Sequence, residues 1–593
     1  MNTPICDFVR GYAAKQPLRL HMPGHKGVGP LGVEALDITE IPGADVLYAP
    51  DGIIAESESN AAALFGSAKT VYSTEGSSLC IRAMLYLAQL WAKAQGRKPF
   101  VLAGRNAHKT FLSAVALLDL DVGWLSSEGE KQSVVSCVVR AESLDHRLSA
   151  MAEKPIAVYI TSPDYLGNIS EIAALSAVCH QYGALLLVDN AHGAYLHFMS
   201  TPRHPLDLGA DLCCDSAHKT LGVLTGGAYL HLAKSAPPML RDAANRAMAL
   251  FASTSPSYLI LQSLDAANAA LSDYCIEDIM STSRRTASLR AALAAEGWTL
   301  TGDEPLKLTL STKPRGYTGV EVAALLERER IYCEFADPDY LVWMVSPQTP
   351  ESTYDVLLNA LRSIPPRSPI TDTPPMPGHA EHVLSPRESM LAPSETLPVE
   401  QSIGRVLASP GVSCPPAVPI VVCGEQIDEA AVNAFRYYGI DRIEVVREAI
   451  IAVNADNISV AGAIHAAAWQ ASHRSFCTQE FLASHTPERQ TGYLREKLLR
   501  GSRIFLLLDG SPVALVSVTG SLIEDLYVLP DCQNRGFGTK LLRHAIQQCD
   551  DTPTLWILEN NTGAARLYER MGFVPTGQRH SFGQLDEIEY QLT

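Results

Sequence analysis

Apolar residues fall in two rhythms along this chain. Short continuous apolar runs bounded by polar turns occur at 100–103, 156–161 and 184–188. The last of these, Ala-Leu-Leu-Leu-Val, reads as a strand buried on both faces, as in a parallel sheet. Between the runs lie helical patterns at 56–66, at 79–95 and after Ser-Pro-Asp-Tyr-Leu-Gly-Asn at 162–168. This alternation, continued to about residue 260, predicts a doubly wound α/β sheet, with 223–232 as an antiparallel strand. A strand–helix pattern returns over 283–350 in KLTLST, VEVAALLERERI and YLVWMVS. Residues 364–396 are Pro- and Ser-rich, a linker by composition. Residues 455–500 are helical by pattern. Strands follow at 503–509 and 512–519, joined by the hairpin signal Asp509-Gly510, then a strand at 523–529 and a helix in TKLLRHAIQQ.

A chain of 593 residues is too long for one core and implies about two to four domains. The net charge of −17 argues against nucleic acid as a main partner and suits cationic substrates. The 13 cysteines are scattered, with no CxxC pair, which reads as reduced thiols of a cytoplasmic protein and neither a disulfide frame nor a metal site. The N-terminus has no signal-peptide pattern, and no apolar run is long enough to span a membrane.

Candidate chemistry centres on Lys219, in the turn DLCCDSAHKTLG at 211–222. The run 184–188 ends on Asp189, and a carboxylate at the carboxyl end of a parallel strand faces the crevice where open α/β sheets bind ligands. Pyridoxal phosphate needs such a pair: a lysine to hold its aldehyde, and a carboxylate to keep the pyridine nitrogen protonated. Either residue alone would be a surface lysine or a strand-end aspartate. Ser77 and Ser78 open a helix after Thr-Glu-Gly, where free N–H groups and hydroxyls suit a phosphate. His108, in a polar turn after a strand, is placed to stack on a flat ring. The Pro/Gly-punctuated loops RLHMPGHKG at 19–27 and DITEIPGADVLYAPDG at 37–52 are of the kind that close over a site.

The stretches LHMPGHKG, DITEIPGAD, SPDYLGNISEI, VDNAHGA, DSAHKTLGVLTGG and STSPSY occur in this order. On them the first ~445 residues resemble the short, wingless bacterial Orn/Lys/Arg decarboxylases. The resemblance implies a fold-type I, aspartate aminotransferase-like α/β enzyme with a large domain at 1–270, a small domain at 271–363 and, past the linker, a C-terminal segment at 397–441. It implies Lys219 as the cofactor lysine, Asp189 on the ring nitrogen, His108 stacked on the ring and His192 near the ring hydroxyl. Ser77, Ser78, Ser216 and His218 would serve the phosphate. Thr254 and Ser255 would reach the neighbouring subunit's site, which implies at least a homodimer. The chain departs from the family pattern at Asn190, at Glu75 beside the phosphate turn, and at LTGG, where a glutamine-bearing turn is usual. These departures bear on which amino acid is used.

The remaining part, 442–593, has its own signature. The turn Gln533-Asn534-Arg535-Gly536-Phe537-Gly538 between a strand and a helix aims backbone N–H groups at a pyrophosphate. Its glycine spacing is not that of a dinucleotide fold. With LWILENNTGAARLYERMGF at 555–573, it resembles the GNAT acetyltransferases. That resemblance implies a GNAT α/β domain that holds acetyl-CoA through Val528, the turn residues 533–538 and Asn561. Tyr568 would protonate the leaving thiolate, and Glu524 would help deprotonate the amine.

The first module's product, an amine, is chemically the second module's substrate class. The leading expectation is therefore a bifunctional polyamine-type enzyme that decarboxylates lysine, ornithine or arginine and N-acetylates the amine. Lysine or ornithine is favoured, because their diamines carry a primary amine at both ends. The competing readings are an acetyltransferase with an unrelated acceptor, a weakened cofactor module that regulates the acetyltransferase, and aminotransfer on the same fold.

Overall fold

A computed structural model describes residues 1–127, 133–273, 275–377, 382–409, 413–414, 417–474, 478–559, 561–582 and 585–593. Parts of the expected linker (378–381), of the segment after it (410–412, 415–416), of the helical stretch 455–500 (475–477) and of the second GNAT signature (560) lie outside them. The chain forms two compact units. One comprises Met1–Met376 with Ser413–Ile420, and the other Pro377–Val412 with Val421–Thr593. The boundary at 376/377 falls inside the expected linker 364–396, and the expected segment 397–441 is divided between the units.

In the first unit seven strands build one sheet: β1 (Lys69–Ser73), β2 (Phe100–Gly104), β3 (Asp121–Leu125), β4 (Ala157–Thr161), β5 (Leu185–Asp189), β6 (Leu212–Asp215) and β7 (Ala228–Leu232). Their spatial order is β1-β7-β6-β5-β4-β2-β3. Strands β2 to β6 run parallel, and β7 is antiparallel to both neighbours, as its position after the lysine turn predicts. Leu185 to Val188 are buried, which explains the unbroken apolar run. The helix Ile172–Gln181 covers one face, placing Leu175 and Cys179 against Leu186 and Val188. A smaller antiparallel sheet holds β8 (Thr299–Thr301), β9 (Lys307–Ser311), β10 (Phe335–Ala336) and β11 (Tyr340–Met344). Its core is Trp298, Leu308, Leu310 and Trp343 against the helices Gly319–Glu327 and Ser352–Arg362. Thr318 caps the first of these in a reciprocal box with Glu321.

The numbering continues with β12 (Ser394–Pro398), the short pair β13 (Ser413–Cys414) and β14 (Val418–Pro419) of the first unit, and β15 (Arg442–Val446), which pairs with β12. The Pro/Ser-rich stretch is thus not all linker. It carries the helix Pro386–Leu391, capped by Ser385, and the start of β12. In the second unit β16 (Glu448–Ala452), β17 (Arg503–Asp509), β18 (Ser511–Thr519), β19 (Leu522–Val528), β20 (Thr554–Leu558), β21 (Phe573–Phe582) and β22 (Leu585–Leu592) form a sheet ordered β16-β17-β18-β19-β20-β22-β21. The segment expected to close the decarboxylase shares a core with the acetyltransferase-like part. Its Val406 and Ala408 pack with Ile451, Leu506 and Leu515, as does Val383 from the Pro/Ser-rich stretch. No described helix is long and apolar enough to cross a membrane.

Candidate active sites

Strands β4, β5 and β6 run parallel with Thr161 level with Asp189 and Asp189 level with Cys214. Their carboxyl ends therefore deliver side chains to one edge. Just beyond β6, Ser216 precedes the short helix Ala217–Thr220, which carries Lys219. A cavity of about 310 Å³ opens there, at the small end of the range for small-molecule sites. Of the residues predicted from sequence, Ser77, Ser78, His108, Asp189, His192, Ser216, His218 and Lys219 all line it. Thr254 and Ser255 do not. They lie exposed in a loop whose Ser253 N–H donates to the carboxylate of Glu75, itself on the cavity wall.

Asp189 is buried and accepts hydrogen bonds from the Tyr159 hydroxyl (3.1 Å) and the Ala191 N–H (3.2 Å). His108 caps the helix Lys109–Leu118, its Nδ1 accepting the Thr110 N–H at 3.1 Å. Burial lowers the His108 pKa, which favours the neutral ring with its proton on Nε2. At another part of the wall the helix Gly76–Ala94 begins with Ser77 and Ser78, and Ser216 Oγ donates to Ser77 Oγ at 2.8 Å. Gly226, at φ +100°, passes so close that a Cβ would meet the Thr74 carbonyl at 2.8 Å, so glycine is required there. His218 Nδ1 contacts the Gly227 carbonyl at 3.0 Å, which makes this nitrogen the donor.

Lys219 Nζ lies 2.7 Å from His192 Nε2 and 5.6 Å from the Tyr165 ring centre. Burial lowers the lysine pKa, opposed by Asp189. Burial, followed by the Lys219 and Lys307 charges, holds His192 well below the ordinary histidine value. Two polar groups on the wall, Thr161 Oγ1 and Asn106 Nδ2, are buried without a hydrogen-bond partner. Such groups are costly unless a polar ligand meets them. A helix start with hydroxyls, a carboxylate, a lysine and these unmet groups around one cavity fit pyridoxal phosphate. Sequence reasoning missed Thr161, Asn106, Tyr165 and Lys307, which no local motif marks.

In the second unit β19 and β20 pair only at Leu522–Thr554 and Ile523–Leu555, so the strands part beyond Ile523. Past the end of β19 the turn 533–538 leads into the helix Phe537–Gln548, with Asn534 at φ +63° and Gly536 at φ +87°. The Gln533 side chain folds back to donate to the Val528 carbonyl at 3.2 Å, and a Cβ at Gly538 would lie 3.8 Å from the Val528 side chain. Asn561 caps the helix Thr562–Arg570, accepting the Ala564 N–H. Tyr568 on that helix is buried beside Phe573, and burial pushes its phenol up to about 12. It therefore holds its proton at neutral pH, as a general acid must. Glu524 is engaged, with Lys497 at 2.9 Å and the Thr519 hydroxyl at 3.0 Å.

Its neighbour Asp525, unmarked in the sequence, is the better-buried carboxylate. It sits at φ +51° where the β18–β19 register shifts. Lys497 Nζ (2.6 Å), Ser517 Oγ (2.7 Å) and His465 Nε2 (3.3 Å) all reach it. Burial opposes its ionisation, but the His465 hydrogen bond and the Lys497 charge hold its carboxyl below the usual range. Its contribution to stability is therefore present above the unfolded value of about 3.9 and lost as pH falls toward the folded value. Lys497→Met should cost about 3–5 kcal/mol, because it strips the ammonium from two carboxylates, one of them buried. A lowered denaturant midpoint checks this. The stability gap between wild type and Asp525→Asn should narrow in acid.

Comparison with known proteins finds a family for each part of the chain. The family described as Orn/Lys/Arg decarboxylase, major domain, matches residues 3–301, and the acetyltransferase (GNAT) domain family matches residues 500–575. An arginine decarboxylase of Halalkalibacterium halodurans is 30% identical over 461 residues, 72% of this chain and 92% of that protein. A peptidyl-lysine N-acetyltransferase, YjaB, of Salmonella typhimurium is 34% identical over 67 residues, 11% of this chain and 46% of that protein. The solved constitutive lysine decarboxylase of E. coli superposes with a TM-score of 0.60 at 18% identity, over 75% of this chain and 82% of its own. The fold and first site define a pyridoxal-phosphate enzyme of fold type I. The chain belongs to the Orn/Lys/Arg decarboxylase family and carries a C-terminal GNAT acetyltransferase domain.

Proposed function

We propose that the protein decarboxylates a basic amino acid in its first unit and N-acetylates the resulting amine in its second. The observation that carries this is the presence in one chain of a cavity lined by Lys219, Asp189, His108, Ser77 and Ser78, and of a second unit that holds the 533–538 turn and the Glu524 and Asp525 carboxylates paired with Lys497. Pyridoxal phosphate would be held by Lys219, Asp189, His108 and the hydroxyls of Ser77, Ser78 and Ser216. When bound, it supplies an electron sink for the pair left on Cα as carbon dioxide departs. The chain's own groups do the rest: Asp189 holds a proton at the ring nitrogen, and His108 fixes the ring plane. Acetyl-CoA would lie along the 533–538 turn, with Val528 and Asn561 flanking it.

Arginine is the first substrate to test, because relatives that span most of the chain are named arginine decarboxylases. This departs from the preference for lysine or ornithine that the diamine argument alone gives. Agmatine still ends in a primary amine, and Asp525 and Glu524 supply negative charge that suits it. An ammonium with a pKa near 10.4 must lose a proton before it attacks a thioester, so a local base is needed. Glu524, shared with Lys497, is the proposed participant. The family resemblance at Thr254 and Ser255 supports a homodimer, and the scattered cysteines without a CxxC pair support the cytoplasm.

A second reading has a specific observation behind it, since the similar acetyltransferase is named for peptidyl-lysine. Acetylation assays on the whole protein separate the two. Agmatine, cadaverine and putrescine should be acetylated at least tenfold faster than a lysine-containing peptide. A preference for the peptide would overturn the amine reading.

A further inference from the structure

Lys307, the first residue of β9, has no exposed surface, nor has the Glu304 carboxylate it pairs with at 2.7 Å. Its Nζ also donates to the Asp164 carbonyl at 3.0 Å and lies 2.7 Å from His192 Nδ1. Three electronegative partners match the three protons of an ammonium, which has no lone pair to accept with. His192 Nδ1 must therefore be the acceptor, and the proton of the neutral ring sits on Nε2. That N–H points at Lys219 Nζ, 2.7 Å away. A nitrogen that accepts a hydrogen bond must have a free lone pair, so Lys219 is an uncharged amine in this arrangement.

We propose that Lys307, anchored by Glu304, is a positioning residue that fixes the His192 tautomer and so keeps Lys219 uncharged and nucleophilic. The other groups facing Lys219 divide by sign. Asp189 at the end of β5, Glu334 before β10 and Glu304 favour the charged lysine, while Lys307 opposes it. His108 and His218, neutral at this site, add no standing charge. The Tyr165 ring lies beside the amine. Without Lys307 and Glu304, His192 is free to present a bare Nε2, and an ammonium at Lys219 can donate to it.

The inference rests on Lys219 being the cofactor lysine. The test is the rate at which full-length protein, stripped of cofactor, captures pyridoxal phosphate, followed by visible absorbance from pH 6 to 10. Capture replaces the C=O double bond of the aldehyde with a C=N double bond to Nζ and releases the oxygen as water with the two amine protons, so its rate follows the uncharged fraction of Lys219. In the wild type the rate should stay flat to well below the ordinary lysine value of about 10.4. A profile that instead rises with a midpoint at the ordinary lysine value of about 10.4 overturns the proposal. The neutral pair Glu304→Gln with Lys307→Met should capture at least tenfold more slowly at pH 7.5 and recover by pH 10. Lys307→Arg, which keeps a charged donor, should retain the wild-type profile. A folded double variant with the wild-type profile, or slowed equally at every pH, overturns it. If Lys219→Ala develops the same absorbance, it is the cofactor assignment that fails.

Discussion

Lys219→Ala is expected to abolish the yellow absorbance of the cofactor-loaded protein. It should lower carbon dioxide release by about 10⁴-fold, the top of the range for a single proton-handling group, because the same residue is the covalent anchor. Acetylation of added amine should stay at the wild-type rate, since Tyr568, Asn561 and the 533–538 turn all belong to the other unit. Absorbance and carbon dioxide release on one preparation check this, and an unchanged visible band would assign the cofactor to another lysine. The same variant tests assembly. Mixed with a Thr254→Ala/Ser255→Ala chain, it should recover activity in hybrid dimers if those side chains serve the neighbouring cavity. No recovery would place both residues outside the site.

Tyr568→Phe should do the reverse. Its phenol, pushed up to about 12 by burial, keeps its proton across the working range and can pass it to a leaving thiolate. Removing the hydroxyl leaves the ring's packing against Phe573 in place, so the fold and acetyl-CoA affinity should persist. Acetylation should slow by ~10²-fold, within the range for a general acid, and decarboxylation should not change. A loss of acetyl-CoA binding in place of turnover would make Tyr568 a packing residue. The wild-type acetylation rate should not fall on the alkaline side until far above neutral, because the acid stays protonated there.

How much of this was legible in the sequence follows from how local each feature is. Asp189 and Lys219 were readable because one ends β5 and the other lies in the turn just past β6, each in a short, patterned stretch, and β5 and β6 are direct neighbours in the sheet. The strand β7, the hairpin at Asp509-Gly510 and the turn 533–538 were readable for the same reason. The helix Pro386–Leu391 was hidden by its Pro/Ser-rich surroundings, although Ser385 and Glu388 form a capping box within them. Lys307 begins an ordinary strand almost ninety residues after Lys219, and only the tertiary fold brings it to His192. Asp525 and Lys497 come from a strand and a helix whose patterns say nothing of an ion pair. Glu524, picked from sequence for its place in the strand, proves to share its lysine with a neighbour more deeply buried than itself.

The most direct measurement of the account is the fate of carbon atoms in a single vessel. Uniformly ¹³C-labelled arginine, lysine or ornithine is given separately to the whole protein with pyridoxal phosphate and unlabelled acetyl-CoA, and the products are weighed by mass spectrometry. The account predicts that one of them yields an N-acetyl amine that retains every labelled carbon but one and carries an unlabelled acetyl group. Labelled amine that accumulates without an acetyl group, while acetyl-CoA persists, would contradict it.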